Sequence, residues 1–232
     1  MNMQAQKQSL VLKVTGIIIA LIVPYFLLMF SVRVLLTPVF ARFEYNLPNF
    51  PEDEFGFSTA DRLQYSEPAI RYLTNNAGIE YLAELTFEDD SPLFIDRELS
   101  HMKDVKDLVK AALNGWYIAT GVLGVLALTA KALGGWLDFR RALGFGGWLT
   151  IGLILFGGAA VAINFDWLFT EFHHLFFEGD TWLFYTSDTL IRLFPEKFWM
   201  DAFILAFAIT ILGAILLIAQ QWKLKNKQLK SE

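Results

Sequence analysis

The chain has 232 residues, 55% hydrophobic and 19% charged, with 22 phenylalanines and a net charge of −5, whereas soluble domains average about 25% charged residues. That composition excludes a disordered chain and argues against a soluble domain, because one core of this length cannot hide so much apolar surface. With no cysteine in the sequence, disulfides, thiolate nucleophiles, Cys-ligated zinc and lipidation of the protein's own cysteine are excluded as well.

Four long intervals carry no Lys, Arg, Asp or Glu: residues 14–32, 111–130, 142–165 and 202–222. A helix of about 20 apolar residues crosses the hydrocarbon core, so four transmembrane helices are expected, at about 14–35, 110–130, 144–165 and 202–222. The first follows Lys7 and Lys13 but runs past a signal-peptide core without a small-x-small cleavage site, and reads as a retained anchor. Segments 1–13, 131–141 and 223–232 carry +2, +2 and +3, while 33–110 and 166–201 carry −7 and −5. Lys and Arg are correspondingly dense in the three short segments, which sets both termini in the cytoplasm. The expected architecture is a single integral membrane domain: an all-α, four-span protein, N-in and C-in, whose two extracytoplasmic loops, about 36–109 and 166–201, form a partly helical cap.

Within the first loop, Ser58 and Asp61 have the spacing of a capping box, Gly78 is a plausible helix stop, and Pro68 is expected to start a second helix between them. Ile79–Phe87 and Leu93–Asp96 flank a turn-rich run and read as a short hairpin. From Glu98, Met102, Val105, Leu108, Val109 and Ala112 recur at helical spacing, so an outer helix is expected to run into the second span. The second loop is aromatic throughout, and Asp180, Asp188, Arg192 and Pro195 argue against a fifth span. An interfacial segment fits it better.

All three histidines, His101, His173 and His174, fall in these two loops near span ends, so His101 and His173 are expected to converge. Asp104, three residues from His101, shares its helical face and is expected to orient the imidazole. Lys103, Lys106 and Lys110 form another stripe, suited to lipid phosphates or a developing oxyanion. Of the two adjacent histidines, about 100° apart on a helix, only one is expected to face a site. No serine-hydrolase, zincin, P-loop or dinucleotide motif occurs, and the histidine spacing is not that of a zinc site. The spans carry no charge, which argues against an ion or proton pathway. Two alternatives stand beside an acid/base enzyme: a non-catalytic multi-pass protein whose outer loops bind a partner, and a His/carboxylate metal-dependent membrane hydrolase.

The run Glu98-Leu99-Ser100-His101-Met102-Lys103-Asp104-Val105-Lys106 resembles the "ELSHMxDVK" signature of the lipoprotein intramolecular transacylases, a family of four-span bacterial membrane proteins. Phe172-His173-His174-Leu175-Phe176-Phe177, then Asp180 and Trp182, resembles its second signature, "FHxxFF" followed by "DxW". In that match His173 is the motif histidine and His174 occupies a variable position. The resemblance implies an acyltransferase of the bacterial cytoplasmic membrane, its active site facing outward and its substrates diacylated lipoproteins among membrane lipids. No cofactor, metal or nucleic acid is implied. The sn-2 acyl chain of the S-diacylglyceryl group would move to the α-amine of the same cysteine, giving a lyso-form lipoprotein. His101 and His173 would share the acid/base roles with Asp104 as orienter. Lys103, Lys106, Asp180 and Trp182 would contact substrate, Trp182 lining an acyl groove.

Overall fold

The first uncharged run lies in helix α1, Met3–Leu35. In this computed structural model, which describes residues 3–177, 179 and 181–229, eight more helices follow. They are α2 (Pro38–Tyr45), α3 (Thr59–Tyr72), α4 (Glu80–Ala83), α5 (Asp96–Ala132), α6 (Trp136–Ile163), α7 (Phe165–Phe176), α8 (Thr189–Leu193) and α9 (Glu196–Leu229). Among the described residues four helices, α1, α5, α6 and α9, are long and apolar enough to cross a membrane. Helix α5 has 37 residues, about 55 Å at 1.5 Å per residue, far more than the hydrocarbon needs. Its first turns carry Arg97, Glu98, Lys103, Asp104, Lys106, Asp107 and Lys110 and lie outside the apolar span.

The chain divides into two compact units. One comprises the residues up to Ser31, Asn114–Ala159, and the chain from Ala206 onward. Its interior joins Ile19, Val23 and Leu27 of α1 to Phe139 and Ala142 of α6 and Ala214 of α9. Glycine permits the close approach: a Cβ on Gly146 would stand 2.5 Å from Val23 Cβ, and one on Gly147 2.8 Å from the Ala214 carbonyl oxygen. Small residues let helix backbones meet where lipid offers no hydrophobic drive. The Ser31 hydroxyl donates to the Leu28 carbonyl at 2.7 Å and accepts from Thr210 at 3.1 Å, satisfying two buried polar groups within the unit. Gly134, at φ 76°, makes the left-handed turn between α5 and α6.

The other unit comprises Val32–Leu113 and Ala160–Leu205. Its main core gathers Ala69, Tyr72 and Leu73 around α3, Leu82 of α4, Leu93, Phe94, Met102 of α5, and Leu190 and Leu193 of α8. A second cluster joins Phe40, Ala41 and Tyr45 of α2 to Ile70 and Phe198. The Ser58–Asp61 capping box forms as its spacing predicts. Asp53, from the acidic run whose purpose the sequence leaves open, accepts from Arg192 at 3.0 Å and from the Phe57 amide at 2.7 Å. Burial opposes its ionisation, but those donors outweigh burial and hold the carboxyl below its ordinary range.

Three local expectations need correction. Pro68 lies inside one continuous helix, α3, rather than starting a second; the burial of Ala69, Ile70 and Tyr72 just beyond it offsets the hydrogen bond that proline removes. That helix ends at Tyr72, six residues before Gly78. The expected hairpin is reduced to one isolated bridge between Thr86 and Pro92. The Phe87 amide donates to Ser91 and the Leu93 amide to Leu85 on either side of that bridge, and the pairing stops there because Glu80-Tyr81-Leu82-Ala83 takes the helical turn its residue types favour.

Candidate active site

Helix α5 buries a stripe centred on Glu98, Met102, Val105 and Val109, and His101 lies at one edge of it. Helix α7 begins behind the Asn164 cap, whose side chain accepts from the Trp167 amide. Its turn puts His173 inside and His174 outside, as two adjacent residues about 100° apart on a helix require. The two motif histidines, 72 positions apart in the chain, meet with ring centroids 6.1 Å apart and planes inclined by 21°. Phe177 and Phe184 close on the His101 ring at 5.0 and 5.2 Å. Phe169 and Trp182 lie against the His173 ring at 4.2 and 4.8 Å, and His174 meets the edge of Trp182 at 5.4 Å.

This aromatic enclosure sets the protonation states. Burial, then the charge of the neighbouring His173, pushes the His101 imidazole down to about 4. Burial also lowers His173, against the opposing hydrogen bond to Phe169. Both rings are therefore held toward the neutral form at neutral pH. His173 Nδ1 lies 2.7 Å from the Phe169 carbonyl oxygen. A carbonyl only accepts, so Nδ1 carries the proton and Nε2 keeps its lone pair. Among the described residues, His101 Nδ1 is buried without a hydrogen-bond partner, and so is the Trp182 indole nitrogen.

The remaining expected site residues divide. Asp104 does not orient His101: it is exposed, and His101 Nδ1 has no acceptor beside it. Three residues on from His101, it sits about 60° farther round the helix, beyond the edge of the buried stripe. Lys106 occupies the opposite edge, almost fully buried, and donates to Asn75 Oδ1 at 2.9 Å and the Ala77 carbonyl at 2.7 Å. Its Nζ also stands 3.7 Å from the Tyr72 ring centroid. The ammonium is thus committed to the chain around α3 and α4 and does not join the histidines. Lys103 is exposed. Asp180 lies outside the described residues, as does Glu178. Among the described residues no group of three His, Asp or Glu side chains gathers as metal ligands.

Sequence reasoning missed the scaffold that registers the two halves of the site. Glu98, 1% exposed, accepts the Ile95 amide at 2.9 Å with one oxygen and the Leu190 amide at 2.7 Å with the other. Arg97 donates to Asp188 at 2.6 Å and lies 4.6 Å over the Tyr185 ring. Asp188 in turn accepts the Tyr185 amide at 2.8 Å. These bonds tie the start of α5, one turn before His101, to the chain that follows Trp182. Glu98, inside the first signature, was the available signal.

Fold and site define a multi-pass helical membrane protein with a buried, neutral histidine pair suited to proton transfer. The model of the family "Lipoprotein intramolecular transacylase Lit" matches residues 17–199. The chain belongs to that family and is a membrane acyltransferase acting in lipoprotein modification. Its fold is similar to that of the membrane integral lipoprotein intramolecular transacylase Lit from Bacillus cereus, with a TM-score of 0.80 at 20% identity over 95% of this chain and 99% of that one. A variant of the Bacillus protein with one histidine changed to alanine gives a TM-score of 0.76 at 21% identity, covering 98% and 99% of the two chains. An uncharacterized protein from Aquifex aeolicus (strain VF5) is 29% identical over 208 residues, 89% of this chain and 92% of that protein.

Proposed function

We propose that the protein moves the sn-2 acyl chain of an S-diacylglyceryl-cysteine lipoprotein onto the α-amine of the same cysteine, at the outer face of the cytoplasmic membrane, with both termini inside. The observation that carries this reading is the His101–His173 pair, enclosed by aromatic rings with His173 Nε2 free to accept a proton.

An α-amine with a pKa of about 7.7–8.0 is mostly protonated at neutral pH and must lose a proton to attack. That first proton goes to solvent; as the neutral amine nitrogen bonds to the ester carbonyl carbon, His173 Nε2 takes one of its two remaining protons. When the tetrahedral intermediate collapses, the glyceryl oxygen leaves with the proton that His173 returns. His101, neutral and 6.1 Å away between ring centroids, serves as the second member of the relay. Amine and ester belong to one molecule, so correct folding of the substrate supplies much of the rate. Ester-to-amide transfer runs downhill, so no energy source is required.

Purified protein incubated with a diacylated lipopeptide tests this. Transfer leaves the mass unchanged, so fragmentation must locate the acyl chain: on the cysteine nitrogen if the reading holds, still on glycerol if the protein is a non-catalytic binder, and released as free fatty acid if it is a hydrolase.

A further inference from the structure

The transfer develops negative charge on the ester carbonyl oxygen, and a donor must meet it. The lysine stripe does not supply one at the histidine pair: Lys106 is spent on Asn75 and Ala77, and Lys103 faces solvent. One donor-only group next to His173 is unspent. The Trp182 indole nitrogen is shut off from solvent and has no hydrogen-bond partner among the described residues, although its ring packs on the His173 imidazole at 4.8 Å. The two rings are inclined by only 31°, so the indole N–H, which lies in its own ring plane, is not directed into the imidazole face. Buried N–H groups are rarely left unpaired, and one that is unpaired beside a proton acceptor is a donor available to a ligand's oxygen.

We infer that Trp182 is a catalytic residue, its indole N–H donating to the reacting carbonyl oxygen of the substrate ester and to the oxyanion that forms there. The inference deepens the transacylase reading and rests on it. As the C–N bond forms, the carbonyl π pair moves onto oxygen and is met by the Trp182 N–H. As the pair returns, the C–O bond to glycerol breaks, and His173 delivers the amine proton to the departing oxygen. Trp182 donates a hydrogen bond throughout and never loses its proton, which suits a donor that does not ionise. The same ring covers one face of His173 and keeps water from it.

The direct test is Trp182→3-benzothienylalanine in the full-length protein, which keeps the ring's shape and replaces N–H with sulfur. On the S-diacylglyceryl lipopeptide, kcat should fall by about 10²–10³-fold, the usual loss for one oxyanion donor, with KM little changed. Wild-type kcat in that variant overturns the inference, and activity lost only in Trp182→Phe does the same, since ring packing alone would then matter. A measurement on the wild-type protein guards against misfolding: with ¹⁵N-indole label, the Trp182 N–H resonance should move downfield when a non-reacting analogue with an amide in place of the sn-2 ester binds, and an unmoved resonance overturns the inference. Conversion by wild type alongside a fully active sulfur variant would remove the Trp182 role and leave the transacylase reading intact. A wild type that leaves the acyl chain on glycerol would remove both.

Discussion

The two compact units of this protein solve opposite problems. In the unit built from Ile19, Val23, Leu27, Phe139, Ala142 and Ala214, the buried polar side chains among the described residues are Ser31, Thr150 and Thr210, each a hydroxyl satisfied within its own unit. In the other unit Glu44, Arg62, Glu98, His101, Lys106, His173 and Asp188 are all buried. Burying charge is costly unless every group finds a partner. Glu98 finds two amides, Lys106 two oxygens and a ring, and Arg62 the carbonyls of Pro51 and Arg192. The histidine pair and Trp182 stand out inside that unit for their position: His101 Nδ1 and Trp182 Nε1, like Glu44 Oε1 and Arg97 Nε, have no hydrogen-bond partner among the described residues, and these two stand at the paired imidazoles.

Substitutions sharpen that contrast in order of expected effect. His173→Ala should lower turnover per folded molecule by about 10²–10⁴-fold, the range for losing a positioned base, with the thermal unfolding midpoint lowered by the lost ring packing; full turnover in folded protein would remove the base assignment. Gly146→Val acts on the other unit, forcing methyls against Val23. It should destabilise by about 1–3 kcal/mol in thermal unfolding while turnover per folded molecule holds. Glu98→Gln leaves one of two amides facing an NH₂ group and should cost about 1–3 kcal/mol. Because Glu98 sits one turn before His101, kcat should fall alongside stability. Lys106→Met strands the Ala77 carbonyl, while Asn75 Oδ1 keeps the Ala77 amide, at a cost of about 1 kcal/mol, yet KM for lipopeptide should not move. A raised KM would return Lys106 to the substrate site. The smallest effect belongs to Asp104→Asn, within about 0.5 kcal/mol as for other exposed positions, with an unaltered pH profile.

The spans were legible because charge is absent from runs of 19 to 24 residues, a pattern that needs no tertiary information. The capping box at Ser58 was legible from helical spacing alone, which also required that only one of the two adjacent histidines turn inward; that it is His173 came from the motif resemblance. Asp104 misled for the same reason: spacing puts it near His101 but does not say where the buried stripe ends. Lys106 bonds residues 29 and 31 positions away, Glu98 reaches Leu190 at a separation of 92, and Arg192 reaches Asp53 at 139. Pairings at such separations depend on how α3, α5 and α8 pack, and a single sequence carries no mark of that packing.

The central claim, that burial holds both histidines neutral so that a free lone pair meets the substrate amine, is tested most directly by the pH dependence of kcat/KM on a diacylated lipopeptide. Rate should follow the product of the neutral amine and neutral histidine fractions. Below the amine pKa of about 7.7–8.0 the logarithmic slope should be one. A second break, from histidine protonation, should appear only below the ordinary imidazole value of 6.5, since both His101 and His173 are shifted downward. A slope steepening at or above 6.5, and returning to one in the His173→Ala protein's residual rate, would mean an unshifted histidine and would contradict the buried neutral pair.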